Sequence, residues 1–106
     1  FAIGISWSES LLVGSLLGQK FVINEFVGYL SLAEIKASGA LSDRAIMIST
    51  YALCGFANLS SIGIQIGGIG VMAPERRGDL SLLGFRALIG ASLATLMTAA
   101  IAGAIF

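Results

Sequence analysis

Residues Tyr51 to Gly70 read YALCGFANLSSIGIQIGGIG, too apolar for a soluble loop and too interrupted for a plain helix. At its centre, Asn58, Ser60 and Ser61 place an amide and two hydroxyls inside a run that carries no charge. Glycines at Gly55, Gly63, Gly67, Gly68 and Gly70 surround them. In a membrane this pattern suits a helix broken so that its backbone and polar side chains face a cavity. The uncharged run extends from Ala45 to Pro74, longer than the roughly 20 residues one straight span needs, so there is room for the break. Ala45 to Phe56 is an ordinary helix candidate, and Ile62 to Met72 carries the small-xxx-small pair Gly63 and Gly67, which allows close helix packing.

The composition agrees with a membrane setting. The chain of 106 residues is 57% hydrophobic and 11% charged, less than half the roughly 25% charged residues of soluble domains. Six basic and six acidic residues cancel, so nothing points to nucleic acid or an acidic substrate. There is no histidine and one cysteine, Cys54, which excludes an internal disulfide and a His/Cys metal site. Without histidine, and with no close pair of carboxylates in an apolar setting, enzymatic chemistry is not expected. The start at Phe1-Ala2-Ile3-Gly4 lacks signal-peptide character, and the chain stops straight out of an apolar run at Phe106. Both ends read as those of a piece of a larger membrane protein.

Outward from the central stretch, residues 11–37 alternate short apolar runs with polar pairs. Each apolar run is too short to cross a bilayer alone. Two arms, Ser10 to Ile23 and Phe26 to Ala37, on either side of Asn24-Glu25 fit a re-entrant helical hairpin with that pair near its tip. Gly39 is placed to end a helix, and Ser42 to cap the next with Asp43 in its first turn. Residues 73–86 form the most polar stretch, expected to be a loop, and Ala87 to Phe106 has the length of a complete span. Three arginines in residues 73–86 outnumber Lys36 and Arg44 in the earlier connection, which predicts a cytoplasmic 73–86 loop and an external Phe106. Trp7, beside Ser8 and Glu9, suits either a membrane interface or a linker.

Glu25 is the sharpest chemical signal, because a carboxylate at mid-membrane costs about 2.5–3.5 kcal/mol and such residues usually face a cavity and bind something. An ion pair with Lys20, or an interfacial position, is the other reading. Asn58 and Ser61, three apart, would share one face of a helical turn; freed backbone groups would join them if the turn is unwound. Inter-helix hydrogen bonding explains them equally well when they are taken alone. Phe56 could wall such a site, with Ser60 and Gln65 as weaker candidates, and Arg76-Arg77 reads as a topology signal.

Two longer motifs narrow these alternatives. At Asn24-Glu25-Phe26-Val27-Gly28-Tyr29 and at Gly55-Phe56-Ala57-Asn58-Leu59-Ser60-Ser61-Ile62-Gly63-Ile64 the sequence resembles the concentrative nucleoside transporters. The first is similar to that family's NEFVAY-type motif, with Gly28 where alanine is usual, and the second to its GFAN-x-SSIGI segment. Ala73-Pro74-Glu75-Arg76-Arg77 follows in the same order, and the resemblance runs from about Leu17 to Phe106. It implies an all-α membrane protein fragment, the C-terminal part of a transporter, spanning residues 1–106. Its parts would be a re-entrant hairpin at 10–37, a broken transmembrane helix at 45–73 and the last transmembrane helix at 81–106. It also implies cation-coupled nucleoside uptake across the cell membrane, the cytoplasmic membrane if bacterial, in a multi-pass homotrimer. Glu25, Asn58 and Ser61 would hydrogen-bond the ribose, and Phe56 would line the same site. The nucleobase contacts and the coupling-ion site, sodium or proton, would lie mainly in the remaining part of the transporter chain. The alternative is a non-transporting helical packing or pore module in the bilayer, which leaves the shared polarity of Glu25, Asn58 and Ser61 without an account.

Overall fold

A computed structural model describes all residues from Phe1 to Phe106. The chain folds into five α-helices: α1 (Ser10–Val22), α2 (Glu25–Ser38), α3 (Asp43–Leu53), α4 (Leu59–Met72) and α5 (Arg77–Ile105). Short 3-10 turns at Trp7–Glu9 and Pro74–Arg76 precede α1 and α5.

Local chemistry sets most of the boundaries. Asn24 caps α2 by accepting the Val27 N–H at 3.0 Å, so Glu25 is the first residue of the second arm rather than part of a loose tip. Gly39 ends α2 in the left-handed region at φ 73°, where a side chain is costly. Ser42 caps α3 through the Ala45 N–H, and Glu9 accepts the Ser42 hydroxyl at 3.0 Å, pinning the N-terminal segment to this cap. Asn58 caps α4 by accepting the Ser61 N–H at 2.8 Å, which starts that helix three residues before the expected Ile62.

The polar stretch 73–86 is not the loop its composition suggests. Pro74 opens the 3-10 turn, where its missing N–H is harmless, and the chain is α-helical from Arg77 with Asp79 in the first turn. Leucines at Leu80, Leu82 and Leu83 then carry the helix on without a breaker. The last helix therefore begins before residue 81. At 29 residues it extends about 43 Å at 1.5 Å per residue, close to the 50 Å long axis of the whole molecule. Pro74–Ile105 is the one helical segment long and apolar enough to cross a membrane.

Close approaches at glycines fix how α5 runs. A Cβ on Gly70 would touch the Arg77 side chain, one on Gly84 would meet Ile62, one on Gly55 would meet Thr95, and one on Gly103 would meet Ile48. One partner descends along α5 as the other ascends, so α3, the break and α4 lie in succession along an antiparallel α5. The hairpin of α1 and α2 packs on α3. Leu16, Leu32, Ile48, Ala52, Leu53 and Ala99 form the core where these elements meet. Outside it, large apolar side chains stay exposed, including Leu11, Val71, Met72, Ile89, Met97 and Ile105. Faces of this kind need lipid or more protein to cover them.

Candidate functional site

Two helix N-termini are brought near one another by the hairpin turn and the break. One belongs to α2 and carries Glu25; the other belongs to α4 and carries Ser60 and Ser61 in its first turn. Both are capped by asparagine, at Asn24 and Asn58. The Ser60 hydroxyl joins the two turns, lying 3.2 Å from the Ile23 carbonyl oxygen and 2.6 Å from Asn58 Oδ1.

Asn58 is fully buried at 0% exposure. Its Oδ1 is engaged by the cap, but its Nδ2 is buried with no partner. Glu25 Oε2 is likewise buried and unpartnered. A buried donor and a buried acceptor without partners each cost about 1–3 kcal/mol, so their persistence is a signal in its own right. No ion pair joins Glu25 to Lys20: the molecule's one salt bridge is Arg76–Asp79, exposed and 2.6 Å long. No hydrogen bond joins Glu25 to Asn58 or Ser61; the two turns communicate through Ser60 instead.

Ser61 is buried, and its hydroxyl donates to the Asn58 carbonyl at 2.7 Å. Together with Phe56 and Gln65 it lines a cleft of about 90 Å³ against Gly84, Leu88 and Ala91 of α5. Phe56 is 59% exposed, so its ring forms an open rim rather than core packing. Four of the residues singled out from sequence thus cluster at the break: Phe56, Ser61 and Gln65 in the cleft, and Asn58 as the buried cap. Glu25 stands on the hairpin and does not line that cleft.

Lys20 is the residue the sequence reading underrated. It sits in the polar pair Gln19-Lys20, which resembles a solvated face, yet it is fully buried. Its Nζ donates to the Ala52 carbonyl in the last turn of α3 at 3.1 Å and stands 5.2 Å from the Phe21 ring centroid. Tyr29 on the other arm donates to Thr50 of the same turn at 2.9 Å. Nothing in the local pattern around Lys20 announces a partner 32 residues away.

The comparisons with known proteins fit this arrangement. Residues 1–103 match the family described as "Na+ dependent nucleoside transporter C-terminus". The putative nucleoside permease NupX of Escherichia coli (strain K12) is 45% identical over 97% of this chain, which spans 25% of that protein. Sodium/nucleoside cotransporter 1 of Rattus norvegicus is 42% identical over the whole chain, which spans 18% of it. Among solved structures, CNTnw in an inward-facing substrate-bound state superposes with a TM-score of 0.86 at 50% identity, covering 95% of this chain and 25% of that one. An intermediate state of CNTnw gives 0.88 at 49% identity, covering 97% and 26%. The chain spans about a quarter or less of these relatives. It belongs to the sodium-dependent nucleoside transporter family, whose C-terminal region it represents.

Proposed function

We propose that this chain supplies the ribose-binding half of the substrate site in a cation-coupled nucleoside importer of the cell membrane. The observation that carries the reading is the pair of orphaned polar atoms, Glu25 Oε2 and Asn58 Nδ2, on two turns linked through Ser60. A sugar hydroxyl both donates and accepts. It can donate to the carboxylate and accept from the amide, which satisfies each atom with the partner type it lacks. The Ser61 side chain and the open Phe56 ring beside the adjoining cleft extend the same surface toward a bound nucleoside. Sodium is the coupling ion we favour, on the family's own description.

In this reading residues 10–37 are a re-entrant hairpin, residues 45–73 a broken membrane helix, and α5 a full membrane span in a multi-pass homotrimer. Transport would follow alternating access, with the hairpin and the broken helix moving against a scaffold in the rest of the chain. Support comes from the near-equal superposition on an inward-facing and an intermediate state of CNTnw, as expected of elements that keep their mutual arrangement.

The test is Glu25→Gln in the intact transporter, reconstituted in proteoliposomes and assayed for uridine uptake. One charge-assisted hydrogen bond is worth about 1.5–3 kcal/mol, so uptake at limiting uridine should fall at least about tenfold while membrane insertion is unchanged. Uptake at the wild-type rate would remove Glu25 from the site.

A further inference from the structure

Lys20 links the hairpin to the break in a way the ribose contacts do not require. The last four carbonyls of α3, from Thr50 to Leu53, have no partner within the helix. Three of them are nevertheless engaged. Tyr51 receives the Cys54 N–H, Thr50 receives the Tyr29 hydroxyl, and Ala52 receives the Lys20 ammonium. The ammonium is fully buried, and a Cβ on Gly55 would lie 4.0 Å from Nζ and 3.0 Å from Thr95 Oγ1. Lys20, the end of α3, the start of the break and the middle of α5 therefore converge on one point.

The C-terminal end of a half-helix carries partial negative charge, and in broken membrane helices such ends hold cations. Here the position is filled by a charge that cannot diffuse away. We infer that the Lys20 ammonium is a tethered cation that occupies the helix-end cation position of the break and holds α3 in place beneath the substrate site. Lys20 is thus a positioning residue. Its ammonium touches Ala52, and through α3 it sets where Cys54 to Asn58 begin. At the other side of the break, Ser60 bonds the carbonyl of Ile23, three residues after Lys20. The end of α1 therefore bridges the break from α3 to α4. A mobile ion in the same position could equilibrate with the medium, whereas the tethered one keeps the break closed at every ion concentration.

The inference rests on the proposed function only for what the held conformation serves, so its test reads the break directly. Ala57, inside the break, is 5% exposed, so a cysteine placed there is shielded while the break is closed. In the intact transporter carrying Ala57→Cys as the sole reactive thiol, with Cys54→Ser, alkylation of that cysteine by N-ethylmaleimide reports opening without any nucleoside. Lys20→Met keeps an apolar stem and removes the charge. It should speed alkylation about tenfold or more, the factor for losing one hydrogen bond to a charged group. Lys20→Ala should behave alike, and n-propylammonium should slow its alkylation again while n-propanol should not. Wild-type rates in Lys20→Met, or equal protection by both additives or by neither, overturn the tethered cation. If Lys20→Met fails to reach the membrane, Lys20→Arg, which keeps charge and donors, must reach it with slow alkylation in the break; loss or fast labelling of that variant overturns it as well. A wild-type protein that did not transport nucleosides would refute the transport reading and leave this result standing.

Discussion

The cap that Asn58 supplies and the ligand contact proposed for it are separable, and Asn58→Asp divides them. Asn58 Oδ1 caps α4 by accepting from Ser61 N–H at 2.8 Å, and it shares the single proton of the Ser60 hydroxyl, 2.6 Å away, with the Ile23 carbonyl. Its Nδ2 is the orphaned donor assigned to the ligand. Aspartate keeps an acceptor in the cap position and is among the best N-caps, because the helix dipole favours a negative charge there. It has no donor to offer. A ligand oxygen that received the amide N–H would face a second acceptor in a region that already holds Glu25. The lost hydrogen bond and the unsatisfied acceptor together cost about 1.5–3 kcal/mol, roughly ten- to a hundredfold in uridine affinity. Asn58→Ala, by contrast, removes the cap as well and should lower stability by about 1 kcal/mol in addition. The assay is uridine binding by calorimetry on the purified intact transporter, paired with its thermal midpoint. Asn58→Asp should unfold near the wild-type temperature and bind at least tenfold more weakly. Wild-type affinity in Asn58→Asp would refute the assignment of Nδ2 to the ligand and leave Asn58 as a cap alone.

Ser60→Ala removes the one side-chain bond between the hairpin turn and the break. It should weaken uridine binding about three- to tenfold, the value of a single neutral hydrogen bond, and measurement by the same calorimetry distinguishes this from no change. At Gly28 a Cβ would lie 3.0 Å from Leu53 Cδ2, a flexible side-chain end. Gly28→Ala should therefore be neutral within about 1 kcal/mol, crowding offsetting the gain in helix propensity, whereas Gly28→Val should cut the yield of folded transporter in detergent. At Gly103 a Cβ would stand 2.9 Å from Ile48 Cδ1 and 3.1 Å from its Cγ1 inside the core, so Gly103→Val should lower the thermal midpoint, by about 1–3 kcal/mol of overpacking. Arg76→Ala removes an exposed ion pair and should change stability by less than about 1 kcal/mol in the same melt.

Much of this architecture is legible in the residues because its determinants are local. Gly39, Ser42 and Asp43 announce a helix end and a helix start through backbone chemistry within a few positions, and the structure places both there. Asn24 and Asn58 declare themselves as polar breaks in apolar runs. Their capping role was harder to see, since a membrane context draws attention to ligands before it draws attention to N-caps. The start of α5 departs from the expected loop for a related reason: arginines and an aspartate look like a loop by composition, while the leucines among them keep helical propensity. From the sequence Lys20 offers itself only as an ion-pair partner for Glu25, because its actual partner is the Ala52 carbonyl, a backbone group that carries no sequence signature.

The break between α3 and α4 survives because its neighbours on two sides are continuous. Residues 54–58 leave the helix, and Gly55 sits at φ 124°, a conformation that strains any residue with a side chain. Breaking a helix exposes carbonyls on one side and N–H groups on the other, each costly if left bare in an apolar medium. On the carbonyl side, Tyr29 and Lys20 of the hairpin bond the last turn of α3; on the N–H side, Asn58 caps Ser61 from within. Meanwhile α5 runs unbroken past both halves, its Gly103 against Ile48 of α3 at one end and its Arg77 against Gly70 of α4 at the other, so the halves cannot swing apart without unzipping it. Three side-chain atoms stay buried without a partner after this accounting: Ser49 Oγ inside α3, and Glu25 Oε2 and Asn58 Nδ2 at the starts of α2 and α4. The last two stand on the turns that Ser60 joins, an acceptor and a donor of the kind the proposed ribose contact would satisfy.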